Sequence, residues 1–478
     1  MIDTATTNAA AGAAASERRM RLLALMVATA FFMEQLDSTV LVTALPDIAQ
    51  SLGADPLRAN LTLTAYLVSL TAFLPISGRV ADRFGMRNVF CVAIAIFTIA
   101  SLLCSLATSL GELVAARFLQ GIGAAMMSPV GRLLLLRSVP KAQLVSAMAW
   151  VLTPTMIAPI AGPLVGGFLT TYASWRWIFY INLPIGVLGI AMAWWLVRDE
   201  VRPAPRPFDW FGALLCGSAL SGTVIGLELL VHGLGPKPLA LFLIATGLGA
   251  AIGYYFHARK HHTPLVDLTL LRIPTFAIAT WSGIFFRIAI GAFPFLLPLM
   301  LQLGFGMSAF ESGLVTFAGG ISALAVKLTT IPILRRFGYR NIMIVNSIAC
   351  AAFLAICAAF RPAWPIPAFY AVVLLGGFVR SLQFNALGTI AFADVSSNRM
   401  SDATSLHSVV QQFSAMLGIS FAAALLALSM NARGANSASL VDFSVGFLSM
   451  AVLAMISAVL SLRFSRDAGS ELSGARRR

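Results

Sequence analysis

Fourteen separate runs of this chain are apolar and close to the roughly 20 residues a helix needs to cross a bilayer. They fall at 22–42, 57–77, 89–107, 113–134, 144–169, 177–197, 210–230, 239–257, 276–301, 312–334, 342–360, 366–387, 404–428 and 443–462. No soluble core hides that much apolar surface. Hydrophobic residues make up 59% of the chain, where soluble domains stay near about 45–50%. Lipid is therefore the expected solvent, and the fold class is an all-α integral membrane protein.

The polar remainder sets the orientation. Net charge is +14, but the basic residues gather in alternate loops, as they do in membrane proteins. With both termini in the cytoplasm, only Arg58, Arg176, Lys237, Arg361 and Arg433 of the 33 Lys and Arg lie outside. Arg117, Arg287, Lys327 and Arg380 lie within the spans. A multi-pass inner (plasma) membrane protein, N-in and C-in, is expected. No basic face interleaved with aromatics offers itself to nucleic acid. Arg18, Arg19 and Arg21 precede the first run, which is too long for a signal peptide and reads as an uncleaved helix. The five cysteines lie in apolar runs without a Cys-x-x-Cys pair, so neither disulfides nor a zinc site is expected.

The chain repeats itself. Arg83-Phe84-Gly85-Met86-Arg87-Asn88 returns 253 residues later as Arg336-Phe337-Gly338-Tyr339-Arg340-Asn341. Arg117-Phe118-Leu119-Gln120 returns as Arg380-Ser381-Leu382-Gln383. The repeat unit is six helices in parallel orientation, with two helices inserted between the copies. The expected divisions are a disordered tail 1–21, a six-helix half 22–197, a linker with two inserted spans 198–274, a second half 275–463, and a basic tail 464–478. Parallel six-helix halves imply a central mid-bilayer site and alternating access by rocking.

Ionisable groups within spans are the sharpest functional signal, because each is costly in hydrocarbon. Glu34 and Asp37 share one face of the first helix. Two neighbouring carboxylates cannot both ionise cheaply, so at least one is expected to hold a proton near neutral pH, as a proton carrier must. A static pair neutralised by arginine is the bland alternative. Arg117 is expected to face these acids, as proton-coupling partner and as interhelical ion pair. Arg287 sits 253 residues after Glu34 and is expected to face the acids across the cavity. With Gln35, Arg380, Gln383, His407 and Gln411 it completes the expected cavity lining. Lys327 is expected to snorkel, and Glu228, near the outer end of its helix, to be interfacial. Gly162, Pro163, Gly166 and Gly167 permit close helix approach around a proline kink. His257, His261 and His262 cluster in a loop, where no metal is expected. No Gly-x-x-x-x-Gly-Lys-Ser/Thr loop occurs, which disfavours ATP-driven transport.

Together these motifs resemble the major facilitator superfamily, and within it the fourteen-helix drug:proton antiporter branch. Residues 78–88 resemble the family's loop between helices 2 and 3. Arg117 to Gly123 resembles its helix 4 motif associated with proton coupling, and Gly162 to Gly167 its antiporter motif, with Ala158 where a glycine is usual. Leu36-Asp37-Ser38-Thr39-Val40, Ala44-Leu45-Pro46, and Trp175 to Pro184 resemble signatures of the fourteen-helix branch. The resemblance implies 6+2+6 helices around a central cavity. It also implies a cytoplasmic gating stretch of Gly78, Asp82, Arg83, Gly85 and Arg87, with Asp82 latched in the outward-facing state against the start of helix 13 near Asp402. The second copy has Arg335 in place of Asp82 and has lost the acid.

The expected function is export of small amphipathic compounds against proton influx. A carrier of a specific metabolite, siderophore or lipid-like anion on the same fold is the alternative, and an integral-membrane enzyme the more distant one. No enzyme activity and no cofactor beyond the proton gradient are expected. The expected partners are substrate, protons and membrane lipid, with a monomeric chain and a periplasmic adaptor left open.

Overall fold

The computed structural model describes residues 2–139, 143–197, 209–232, 236–261, 264–396, 399–435, 437–465 and 467–469, and regular structure among them is helical throughout. The long helices are α1 (Ile2–Ser51), α2 (Leu61–Phe73), α3 (Met86–Leu106), α4 (Leu110–Ser138), α5 (Leu144–Tyr172), α6 (Asn182–Leu196) and α7 (Trp210–His232). They continue as α8 (Lys237–Lys260), α9 (Pro274–Gly291), α10 (Ala309–Phe337), α11 (Tyr339–Ala358), α12 (Ile366–Ile390), α13 (Met400–Ala432) and α14 (Leu440–Ser461). Among the described residues, twelve helical stretches are long and apolar enough to cross a membrane. α5 and α10 are outside those twelve; each has 29 residues, and at 1.5 Å per residue reaches about 43 Å, a length consistent with the fourteen expected spans.

Local chemistry sets several helix ends. Ser308 and Glu311 close a capping box at the start of α10, and Ser439 and Asp442 do so for α14. Ser109 caps α4 through the Glu112 N–H. α1 begins at Ile2, and its membrane-length part runs Glu17–Ser51. The linker around 198–207, His262 and most of the basic tail lie outside the described residues.

The 78–88 stretch is not a loop. Residues Ser77–Phe84 form a short helix that breaks at Gly85, where φ is +89°. Gly338, its copy, breaks the chain in the same way with φ +75°. Only glycine takes this conformation without a Cβ penalty, so both copies of the turn depend on it. The next arginine of the motif has a duplicated role too. Arg87 donates to the carbonyl of Val197 at 3.4 Å, just past the end of α6. Arg340 donates to the carbonyl of Leu462 at 3.2 Å, just past the end of α14. Each supplies a cation and a donor at a helix C-terminus, where carbonyls lack partners.

The helices pair in the same order in both halves. α1 packs on α5 and α6 as α9 packs on α13 and α14; α2 on α4 as α10 on α12; α3 on α4 and α6 as α11 on α12 and α14. The halves meet along two seams, α5 with α10 and α2 with α13. The inserted pair α7–α8 is a hairpin, and α7 lies across the α2–α13 seam. α8 is outermost, presenting Leu241, Phe242, Leu248, Ile252 and Phe256 to the surroundings. At the hairpin's terminal-side end, Asp209 accepts from the Gly212 N–H at 2.8 Å and lies 2.7 Å from His257 Nε2. Burial raises the Asp209 carboxyl, but these two bonds together with the electrostatic pull of His257 and His261 hold it below the usual range. His261 brings its ring nitrogen within 4.8 Å of both groups.

Candidate functional site

A cavity of about 670 Å³ lies between the halves, a size typical of small-molecule sites. Its wall comes from the first, second, fourth and fifth helices of each half, α1, α2, α4 and α5, then α9, α10, α12 and α13, together with the short helix Phe293–Leu299 that follows α9. Phe293, Phe295, Phe384 and Tyr66 give it an apolar body; Gln35, Arg117, Arg287, Arg380, Gln411 and Gln412 give it polar points.

The cavity is closed at the end away from the chain termini. Gln302 Nε2 donates to the Thr43 carbonyl at 2.9 Å, joining the two halves. On one flank the Phe310 N–H donates to Thr171 Oγ1 at 3.1 Å, and the Phe310 ring packs on Phe168 and Tyr172. The glycines of α5 explain this closeness. A Cβ on Gly162 or Gly166 would strike α1 at Thr39 or Val40; one on Gly167 would lie 2.4 Å from the Ala309 carbonyl oxygen of α10. Across the seam, a Cβ on Gly313 would lie 2.3 Å from the Pro163 carbonyl oxygen. The motif is thus split, with Gly162 and Gly166 serving contacts within one half and Gly167 serving the seam.

The two acids of α1 both point towards α4 but have different surroundings. Asp37 is sealed in a polar network. Arg117 forms its ion pair, Gln120 Nε2 donates to it at 2.9 Å and Asn182 Nδ2 at 3.0 Å. Ser101 accepts from the same glutamine and asparagine at 2.8 and 3.3 Å. Arg117 is fully buried, donates to the Thr62 carbonyl at 3.3 Å and lies 4.4 Å over the Tyr66 ring. A buried charge pair survives only with its remaining donors and acceptors engaged, and this one has most of them. Glu34 accepts a hydrogen bond from the Ser128 hydroxyl and has no cation within ion-pair distance among the described residues. Neither acid lines the cavity, which Arg117 alone of the three reaches. Gln120, Ser101 and Asn182 had no assigned role in the sequence reading; two of them sit inside motifs quoted there.

Several expected placements are corrected. Arg287 does not face the acids. Its Nη2 donates to His407 Nε2 at 3.0 Å; arginine can only donate, so that imidazole nitrogen accepts. His407 stands behind Arg287 and is not part of the wall. Gln383 is wholly buried, donating to Ser347 Oγ at 2.9 Å and to the Met343 carbonyl at 3.3 Å. It copies the Gln120–Ser101 bond of the first half and holds α12 to α11. Asp82 pairs within its own half, where Arg137 at the end of α4 donates to it at 3.1 Å; its contact with α13 is the expectation for the opposite, outward-facing state. Glu228 is buried rather than interfacial, accepting from Thr64 Oγ1 of α2 at 3.0 Å and from the Ser420 hydroxyl of α13. The Lys327 side chain lies outside the described residues.

Two sets of helices that pair in the same order around one cavity, with the arginine of a buried ion pair reaching its wall, are the architecture of a multi-pass membrane carrier. The sequence profile of the Major Facilitator Superfamily matches residues 27–419 and, in a second match, 293–478. The chain belongs to that superfamily. It is 38% identical over 446 residues to the "Putative multidrug resistance protein MdtD" of Cronobacter sakazakii, covering 92% of this chain and 93% of that one. The protein of the same name from Escherichia coli O127:H6 is 36% identical over 458 residues, covering 95% and 96%. Among solved structures, the POT family transporter PepTSo superposes with a TM-score of 0.68 at 13% identity, covering 92% of this chain and 97% of its own. A D-xylose-proton symporter superposes at 0.65 with 15% identity, covering 94% and 98%. These two share the fold.

Proposed function

We propose that this protein exports small amphipathic compounds across the inner membrane by proton-coupled alternating access, with both termini in the cytoplasm. One observation carries the reading: both halves build one cavity, and the end of that cavity away from the termini is shut by contacts between them. In the proposed orientation this is the state closed to the outside. The naming of its relatives as multidrug resistance proteins supports drug-like cargo. Each chain holds both halves of the cavity, so a monomer suffices, and no covalent step is needed.

The two acids divide the work. Asp37 is committed to Arg117 and holds α1, α4 and α6 together. Glu34 has a hydroxyl as its neighbour and no cation pairing it, so it is the proton carrier. Movement of α1 against α4 during rocking would expose Glu34 to one side and then the other.

Everted membrane vesicles test this. With an imposed pH gradient, Glu34→Gln is expected to reduce uphill transport to background while exchange of substrate across the membrane persists. Full gradient-driven transport by Glu34→Gln would remove Glu34 from the coupling path. Full activity in a Glu34→Gln/Asp37→Asn double variant would remove proton coupling from α1 altogether.

A further inference from the structure

We propose that the cargo of this cavity is a soluble organic anion carrying one or two carboxylate-type groups on an apolar body, held by Arg287 and Arg380. The inference deepens the export reading above and rests on it for direction of transport only.

The charge inventory of the wall is one-sided. Among the described residues its ionisable members are Arg117, Arg287, Arg380 and Tyr66, and no aspartate or glutamate lines it. Arg117 is neutralised from behind by Asp37. The other two arginines are not neutralised. Arg287 is 2% exposed, yet its sole hydrogen bond among the described residues is to the acceptor nitrogen of His407. Its Nε and Nη1 are buried without a partner, as is Nη2 of Arg117. Arg380 stacks 5.3 Å over the Phe293 ring and makes no ion pair among the described residues.

Duplication explains how this arose. Arg380 repeats Arg117, but the position 253 residues after Asp37 is Ile290. The position 253 residues after Glu34 is Arg287. Where the first half has two acids, the second half has a cation and an aliphatic residue at the matching positions, and both halves have the arginine. Folding alone does not favour two uncompensated guanidinium groups and several unused N–H donors. They are satisfied when an oxyanion enters, since the planar guanidinium matches a carboxylate with two parallel hydrogen bonds. The four aromatic rings around them suit the apolar remainder of such a molecule. A lipophilic cation would meet two positive charges and no negative one.

Equilibrium binding to purified protein in phosphatidylcholine nanodiscs tests this without any gradient, so its failure is separable from failure of the export reading. The probes are salicylate, benzoate and succinate against tetraphenylphosphonium. Wild type is expected to bind at least one of the carboxylates and to bind the cation weakly. Arg287→Gln and Arg380→Gln are each expected to weaken the carboxylate at least tenfold. The double variant is expected to bind tetraphenylphosphonium at least tenfold more tightly than wild type. Melting temperatures should hold or rise in all three variants, because each loses a guanidinium that no acid neutralises. Three results would overturn the proposal: failure of every carboxylate to bind; equal cation affinity in wild type and double variant; or displacement of the bound carboxylate by added phosphatidylglycerol, which would make the site a lipid-headgroup site.

Discussion

Asp37 and Arg117 form a buried ion pair in which the aspartate also accepts from Gln120 and Asn182. Removing one partner strands the other charge in a low-dielectric wall. Such a break typically costs about 3–5 kcal/mol, whereas replacing both partners with neutral groups costs far less. Asp37→Asn is therefore expected to lower the melting temperature in detergent sharply. Asp37→Asn/Arg117→Met should recover most of that loss. The coupling energy from this double-mutant cycle measures the pair, and a coupling near zero would mean that the two residues act independently.

Gly313 faces Pro163 at a distance that leaves no room for a methyl group. The obstructing atom is a backbone carbonyl oxygen, so no side chain can swing aside. Gly313→Ala is expected to pry α10 from α5 and favour the state open at the end away from the termini. A membrane-impermeant maleimide applied from that side should label a cysteine at Thr316, in the cavity wall, at least tenfold faster than in the parent. Gly111→Ala is the control, because nothing lies within 4 Å of the added carbon. Equal labelling in both variants would show that the α5–α10 contact does not govern access.

The spans were legible because a bilayer demands long apolar runs, and that demand leaves its mark on sequence whatever the packing. The duplication was legible because Gly85 and Gly338 are tied to a backbone conformation that other residues resist. Arg117 stood out as a charge that hydrocarbon would not tolerate without a reason. Choice of partner was not legible. Two acids three residues apart look equivalent until α4 is seen to offer arginine to Asp37 and serine to Glu34. Glu228 lies two residues from the end of an apolar run, and only packing shows that hydroxyls on α2 and α13 draw it inward. His407 and Gln383 are polar residues at the right depth. Their rotation about the helix axis, which decides whether they meet the cavity or a neighbouring helix, leaves no trace in a mostly apolar stretch.

Asp82 and Arg137 are only partly buried, at 30% and 35% exposure. Pairs of this kind contribute up to about 1 kcal/mol. Asp82→Asn is therefore expected to leave the melting temperature nearly unchanged. If the pair steadies the terminal-side end of the first half during cycling, turnover should fall several-fold with substrate binding retained. The exchanged pair Asp82→Arg/Arg137→Asp should then restore turnover. Absence of rescue, with both single variants slow, would point to a partner of Asp82 outside this half in another state.

Glu228 gives the inserted hairpin a mechanical role that can be measured. It is 4% exposed and accepts hydrogen bonds from Thr64 on the first half and Ser420 on the second. Both contacts lie towards the closed end of the cavity, on the flank opposite the α5–α10 seam. Rocking open at that end must break at least one of them. Glu228→Leu strands two buried hydroxyls, at a cost of about 1–3 kcal/mol each if they find no other acceptor. Glu228→Gln keeps an amide oxygen for both. Spin labels on cysteines at Arg58 and Asn431, both exposed at the ends of this seam, report its width. Glu228→Leu is expected to broaden the distance distribution and shift it outward, and Glu228→Gln to resemble the parent. An unchanged distribution in Glu228→Leu would leave the hairpin as a passenger on the seam, while a shift in Glu228→Gln equal to that in Glu228→Leu would assign the hold to charge and not to the two hydrogen bonds.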